Sequence, residues 1–208
     1  MTIATTTASS NKVEADALIF LVFEGTREER FGAGELIDSG EVTGKALELT
    51  LIHHPQGVAA KRLLLAGAGK AEKFDAPTLR RVSGAAVRHL KTKSIKKIAI
   101  VLDPSQADAA NVAAAVEGAI LGSFEPDRYK TDDDKKSIES FTVAVEGGTP
   151  DLAGAAERGR ILAEAQNFTR DLVNEPANLL TPLLMAEAAS KWRPSMVLSV
   201  RSSTVKRW

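Results

Sequence analysis

The chain is 208 residues long, 44% hydrophobic and 26% charged, which suits one ordinary globular domain plus a further piece and excludes a wholly disordered chain. Its 27 lysines and arginines balance 27 aspartates and glutamates, so no global field would hold nucleic acid or an anionic membrane by charge alone. Cysteine is absent, which removes thiolate catalysis, disulfides and cysteine zinc sites, and fits either a reducing compartment or simple avoidance of the residue.

Met1 to Asn11 is rich in threonine and serine and lacks the cationic start and apolar centre of a secretory signal, so a disordered tail is expected over residues 1–14. Ala17-Leu-Ile-Phe-Leu-Val-Phe23 is a continuous apolar run bounded by Asp16 and by Glu24-Gly25. It is too short to cross a membrane and suits a central strand buried on both faces. Lys45–Ile52 and Arg62–Ala66 read as neighbouring strands, with turn chemistry at His54-Pro-Gln-Gly57 between them. Asp75 as N-cap and Pro77 just inside open a helix over Ala76–Leu90, with Leu79, Val82, Ala86 and Leu90 at helical spacing.

Lys96–Leu102 is the next strand, closed by Asp103-Pro104, and Ala109–Leu121 is an alanine-rich helix carrying Val112, Ala115, Val116 and Ile120. Ser140–Val145 reads as a strand ended by Gly147-Gly148, before a long helix from about Asp151. That helix carries Ile161, Leu162, Ala165, Phe168, Leu172 and Val173, and ends near Asn174 because Pro176 disfavours helical geometry at Glu175. Thr181 as N-cap, Pro182 at the first position and the helix formers from Leu183 to Ala189 begin another. The alternation of strands and helices predicts an α/β fold, a mostly parallel sheet with helices on its faces.

Few of the polar groups carry chemistry by spacing. Gly67-Ala-Gly-Lys70 follows a strand, but Leu64 stands where a phosphate loop needs glycine, and Ala71 where it needs a hydroxyl. A tight strand-ending turn is the favoured reading, with an anion contact by its N–H groups as the alternative. His53, His54 and His89 have no spacing that would put two imidazoles on one helix face, and His89 sits near a helix end that favours positive charge. Lys130-Thr-Asp-Asp-Asp-Lys-Lys136 reads as a solvated loop, without the glycine and alternating oxygens of a calcium loop. Asp171, Asn174, Glu175 and Asn178 read as a turn, with Asn174 and Asn178 holding it by side-chain bonds to the backbone and Asp171 in solvent or paired near Arg170, and with direct substrate contact as the alternative. No catalytic, metal or cofactor-binding residue is assigned.

Two segments carry a family resemblance: Phe168-Thr-Arg-Asp-Leu-Val-Asn-Glu-Pro-Ala-Asn-Leu-Leu-Thr-Pro182, and Glu117-Gly-Ala-Ile-Leu-Gly-Ser-Phe-Glu-Pro-Asp-Arg-Tyr-Lys-Thr131. With the strand Arg62–Ala66 and Gly67-Ala-Gly-Lys70 before them, they make the chain similar to the leucyl aminopeptidase family of cytosolic two-metal peptidases, from about Ala17 to Ala189. Glu117, Asp127, Arg128 and Tyr129 mark the family segment without a derivable chemical role, and Glu175 stands where that family commonly has threonine. The resemblance implies a macro-domain-like sheet over 15–150, a linker helix over 151–175, the start of a catalytic domain over 176–191 and an aberrant tail over 192–208.

The resemblance also implies that intact relatives remove N-terminal amino acids such as leucine from peptides with two divalent ions, zinc or manganese, in the cytoplasm. It implies assembly as a homo-oligomer, a hexamer. The metal ligands and catalytic residues would lie in Lys-Gly-Ile-Thr-Phe-Asp-Ser-Gly-Gly-type and Asn-Thr-Asp-Ala-Glu-Gly-Arg-type motifs. Neither motif is in this sequence, so the chain alone is expected to be inactive, without a cofactor of its own, and to need the missing catalytic domain as partner. After Lys191 the sequence changes character, with Trp192, Pro194 and Trp208, and a reading frame displaced by one nucleotide permits a family-like continuation. A frameshift truncation is the expectation. The alternatives are a short protein with a divergent basic tail, a pseudogene product, and a free-standing macro-like module for a nucleotide-type ligand or nucleic acid. Neutral charge weighs against nucleic acid, and no segment suits a membrane.

Overall fold

In the computed structural model, residues 1–126, 136–146, 152–176 and 178–192 are described. Asp127, Arg128, Tyr129, most of the charged run up to Lys136, Gly147-Gly148 and the tail after Trp192 lie outside them. The chain divides into two compact units, Met1–Gln166 and Asn167–Trp208.

The first unit is built on a six-stranded sheet. Its strands are β1 (Thr2–Thr6), β2 (Ala17–Phe23), β3 (Leu49–His53), β4 (Arg62–Gly69), β5 (Lys97–Leu102) and β6 (Ser140–Val145), in the order β1-β6-β5-β2-β4-β3. Among the described residues only the β3–β4 pairing is antiparallel. β2 lies inside the sheet, with Leu18 opposite Leu63 of β4 on one side and Ala99 of β5 on the other. Its residues alternate between two cores. Ala17, Ile19 and Leu21 join a cluster with Leu64, Ala66, Ile98 and Ile100, while Leu18, Phe20 and Val22 join one with Leu63, Leu65, Ala99 and Val101. A run buried on both faces explains why the sequence shows no alternation there, and each Leu, Ile or Phe so buried contributes about 1.5–3 kcal/mol.

The helices are α1 (Ala33–Asp38), α2 (Ala76–Thr92), α3 (Ala109–Ser123), α4 (Leu152–Asn174) and α5 (Pro182–Trp192). α2, α3 and the first half of α4 cover one face of the sheet, through Leu79, Val82, Val112, Val116, Leu152 and Ala163 among others. Among the described residues the other face is covered by loop residues such as Val13, Val42 and Ala60 and by the short α1. Asp75 caps α2 by accepting from the Thr78 N–H at 2.8 Å, and Asp108 caps α3 by accepting from Asn111 at 2.7 Å. Because α4 places Leu152, Ala155, Ala156 and Ala163 in the core of the first unit, half of the expected linker helix is structurally part of the domain it was expected to follow.

The expectation of disorder at the start is corrected. Thr2–Thr6 forms β1, parallel to β6 in the register Thr2–Ser140 to Thr6–Ala144, and Ser10 is buried in the turn that leads to β2. Threonine is β-branched and suits a strand, but its pairing partner lies far along the chain, so composition alone suggested a tail. The strand expected at Lys45–Ile52 is shifted to Leu49–His53, because residues 44–48 turn back onto β4.

α2 and α3 approach at backbone distance. A Cβ on Gly118 would overlap the Arg80 carbonyl, and one on Gly122 would overlap that of Gly84. The buried Ser83 hydroxyl donates to the Ala115 carbonyl at 2.7 Å across the same seam. Gly118→Ala is therefore expected to lower stability by about 1–3 kcal/mol, through overpacking against backbone that cannot yield. Equilibrium urea unfolding checks this; an unchanged midpoint would remove the close-packing account.

Candidate functional site

Ligands of open α/β sheets bind outside the carboxyl ends of the strands where strand order reverses, here between β2 and β5. This chain fills that position with its own side chains. Arg30 lies with its guanidinium carbon 4.5 Å from the centre of the Phe20 ring, and donates to both Asp103 oxygens at 2.7 and 2.9 Å and to both Glu28 oxygens. Phe31 meets Phe20 edge to face at 5.2 Å. Asp103 follows β5 directly, so its carboxylate is delivered to Arg30 by the end of that strand. Hydrogen bonds donated to Asp103 and then to Glu28 hold Arg30 well above its ordinary pKa, and the bond from Arg30 holds Glu28 below the usual carboxylate value.

Next to this cluster, the Glu146 carboxylate accepts from the Ser10 N–H at 2.6 Å, the Ser10 hydroxyl at 2.8 Å and the Ser9 hydroxyl at 3.1 Å. Those bonds, the backbone one foremost, lower its pKa. The arrangement ties the turn after β1 to the end of β6. It is a brace, not an open acid or base.

The glycines of Gly67-Ala-Gly-Lys70 serve close approach of backbone. The Gly67 N–H donates to the Glu48 carbonyl at 2.8 Å and that of Gly69 to the Gly44 carbonyl at 2.9 Å, while a Cβ on Gly67 would overlap the Lys45 carbonyl. Gly67, Ala68 and Gly69 are the last residues of β4, so the expected turn directly after Ala66 is corrected, and with both glycine N–H groups engaged the anion contact lacks these two donors. His53 and His54 are exposed at the end of β3. At His89, partial burial lowers the pKa with help from Lys93, so the favourable effect expected from the helix end is outweighed. No group of three His, Asp or Glu side chains placed to hold a metal ion occurs among the described residues.

The described part of the resemblance segment has structural partners. Glu117 accepts from Arg80 at 2.7 Å, linking α3 to α2. Glu125 pairs at 2.8 Å with Lys91, whose side chain is only 8% exposed and whose ammonium also donates to the Ser123 carbonyl at the end of α3. Sequence reasoning missed both Lys91 and Arg30; each is one charged residue in a polar stretch, and only its distant partner makes it informative.

In the second unit, α4 ends at Asn174 and Thr181 accepts from the Leu184 N–H at 3.4 Å at the start of α5. The turn between is closed by backbone: the Pro176 carbonyl accepts from Leu179 and Leu180 at 2.8 and 3.0 Å. The expectation that Asn174 and Asn178 hold it by side-chain bonds is not met, since neither side chain makes one among the described residues. Asp171 is exposed, as expected. Several large apolar side chains are also exposed, among them Val173 at 79%, Leu183 at 70% and Met185 at 52%. No helix among the described residues is long and apolar enough to cross a membrane.

Residues 33–133 match the model of the cytosol aminopeptidase family, N-terminal domain. A probable cytosol aminopeptidase of Solibacter usitatus is 66% identical over 180 residues, covering 86% of this chain and 37% of the relative. That of Acidobacterium capsulatum is 44% identical over 162 residues, covering 75% and 32%. Among solved structures, a tomato leucine aminopeptidase mutant is similar with a TM-score of 0.78 over 94% of this chain and 42% of that one, at 21% identity, a likeness of fold. A bottromycin maturation enzyme in complex with Mn is similar with a TM-score of 0.67 and 26% identity, over 87% of this chain and 36% of that one. The chain thus spans roughly a third to two fifths of the length of such relatives.

The carboxylate brace has a pH signature. Glu146 has a folded pKa below its unfolded value of about 4.3, so its stabilisation is present above that value and is lost as pH falls through the folded one. Glu146→Gln is expected to be less stable than the parent at neutral pH, with the gap closing between about pH 5 and pH 3. Thermal melts of both proteins across that range measure it; a gap independent of pH would contradict the brace.

Proposed function

Because this chain belongs to the cytosol aminopeptidase family and carries its N-terminal domain, we propose that it serves as the assembly and regulatory domain of a metal-dependent exopeptidase. The supporting observation is the 66% identity to the Solibacter usitatus relative across most of this chain and a minor part of the other. In this reading, removal of N-terminal residues from peptides needs the further portion that such relatives possess, and the chain by itself is inactive. Two divalent ions, zinc or manganese, would belong to that portion, since the described residues here offer no donor set that fits them. The reading extends to a cytoplasmic location and to a homo-oligomer, a hexamer when intact.

The exposed apolar side chains of the second unit give this reading a physical basis. Val173, Leu183 and Met185 lie within twelve residues of one another in sequence and are all largely exposed, and they suit contact with the remainder of such an enzyme. The nucleotide-module alternative gains no support: the relatives are aminopeptidases by name, and Arg30 with its partners fills the strand-end position.

Purified residues 1–208 are expected to show no chelator-sensitive hydrolysis of leucyl amides. Co-expression with the remaining C-terminal portion of the Solibacter usitatus relative is expected to give a complex with chelator-sensitive activity, weakened at least roughly tenfold in affinity by combining Val173→Glu with Leu183→Glu. Turnover by the chain alone would refute the inactive-domain reading, and failure of the two parts to associate would refute the docking role.

A further inference from the structure

A cleft of about 570 Å³ lies away from the strand-end position, between the first turns of α2 and α3 and the first half of α4. Its volume is within the range of small-molecule sites. Ala113, Ala114 and Leu162 give it an apolar floor, and Arg80, Glu117 and Arg158 supply its charges. Those charges are unequally matched. Arg80 Nη1 donates to Glu117 Oε1 at 2.7 Å, but Oε2 of the same carboxylate accepts no hydrogen bond among the described residues, although only 16% of that side chain is exposed. That oxygen is left to water or to a donor brought by a ligand. Arg158 is exposed, and its guanidinium takes part in no ion pair or hydrogen bond among the described residues.

We propose that this cleft binds a short apolar peptide with free termini. The peptide ammonium donates to Glu117 Oε2, the carboxylate accepts from the Arg158 guanidinium, and the side chains lie over the alanine floor. A fatty acid would leave Oε2 unmatched, and an apolar amine would leave Arg158 unused; a zwitterion satisfies both. The cleft is large enough that a single amino acid would leave much of it to water, which favours a di- or tripeptide. No bond is made or broken, so the site is one of binding only. It goes beyond the reading above and does not rest on it, because both charged groups and the floor belong to the first unit.

The test is titration of isotope-labelled 1–208 with leucyl-leucine, followed by amide chemical shifts. Saturable shifts clustered on α2, α3 and α4 are expected, with a Kd of about 1 mM or tighter. N-acetyl-leucyl-leucine amide, which lacks both charges, should bind at least roughly tenfold more weakly. Arg158→Gln should weaken leucyl-leucine by a similar factor. Ala110→Trp should abolish binding by filling the cleft; Ala110 is exposed on its rim, so the fold is spared. No saturable shift up to about 10 mM overturns the proposal. So does equal affinity for the capped peptide, or parental affinity in both variants.

Discussion

The strand Ala17–Phe23 is paired on both edges and covered on both faces, and the rest of the first unit is arranged around satisfying it. Its amide groups have no water to turn to, so strands must pair with it on both edges, and here β4 and β5 do so in parallel. Parallel neighbours require crossover connections, and the crossovers here carry α2 and α3. Those helices must then cover the face bearing Ile19 and Leu21. Gly84, Gly118 and Gly122 let them do so while lying against each other at backbone distance. A single buried strand thus dictates both the sheet order and the helical layer.

The second face is handled differently, with consequences for function. Loops and the short α1 cover Leu18, Phe20 and Val22, and the loop before α1 supplies Arg30 and Phe31 to the position between β2 and β5. An arginine over an aromatic ring with two carboxylates in bidentate reach gives that position matched charge and little appetite for a ligand. Among the described residues the fold therefore retains the topology of a ligand-binding sheet with the strand-end position taken by its own side chains, and fold alone does not confer function.

On the helical side the charges are less complete. Lys91 is fully used, holding the end of α3 and Glu125, whereas the Glu117 carboxylate shares one oxygen with Arg80 and keeps the other free among the described residues. Glu117 and Glu125 of the resemblance segment therefore connect α3 or the residues after it to α2. Their interest for recognition differs, because only Glu117 faces a cleft.

Local pattern was enough to identify β2, β4, β5, β6, α2, α3 and α4, because each is long, periodic or continuously apolar, and Asp75 announced its own helix. The same chemistry of proline and threonine marked the junction before α5. The sequence also held the family resemblance in Glu117–Thr131 and Phe168–Pro182, which the match to the N-terminal domain of cytosol aminopeptidases supports. What tertiary structure alone decided were the features that depend on partners distant in sequence. β1 exists because β6 offers an edge more than a hundred residues away, residues 44–48 turn because Gly67 and Gly69 admit them, and Arg30 matters because Asp103 and Phe20 converge on it. A short threonine-rich strand or one arginine has no periodicity of its own, so its meaning is fixed only when the sheet brings its partners within reach.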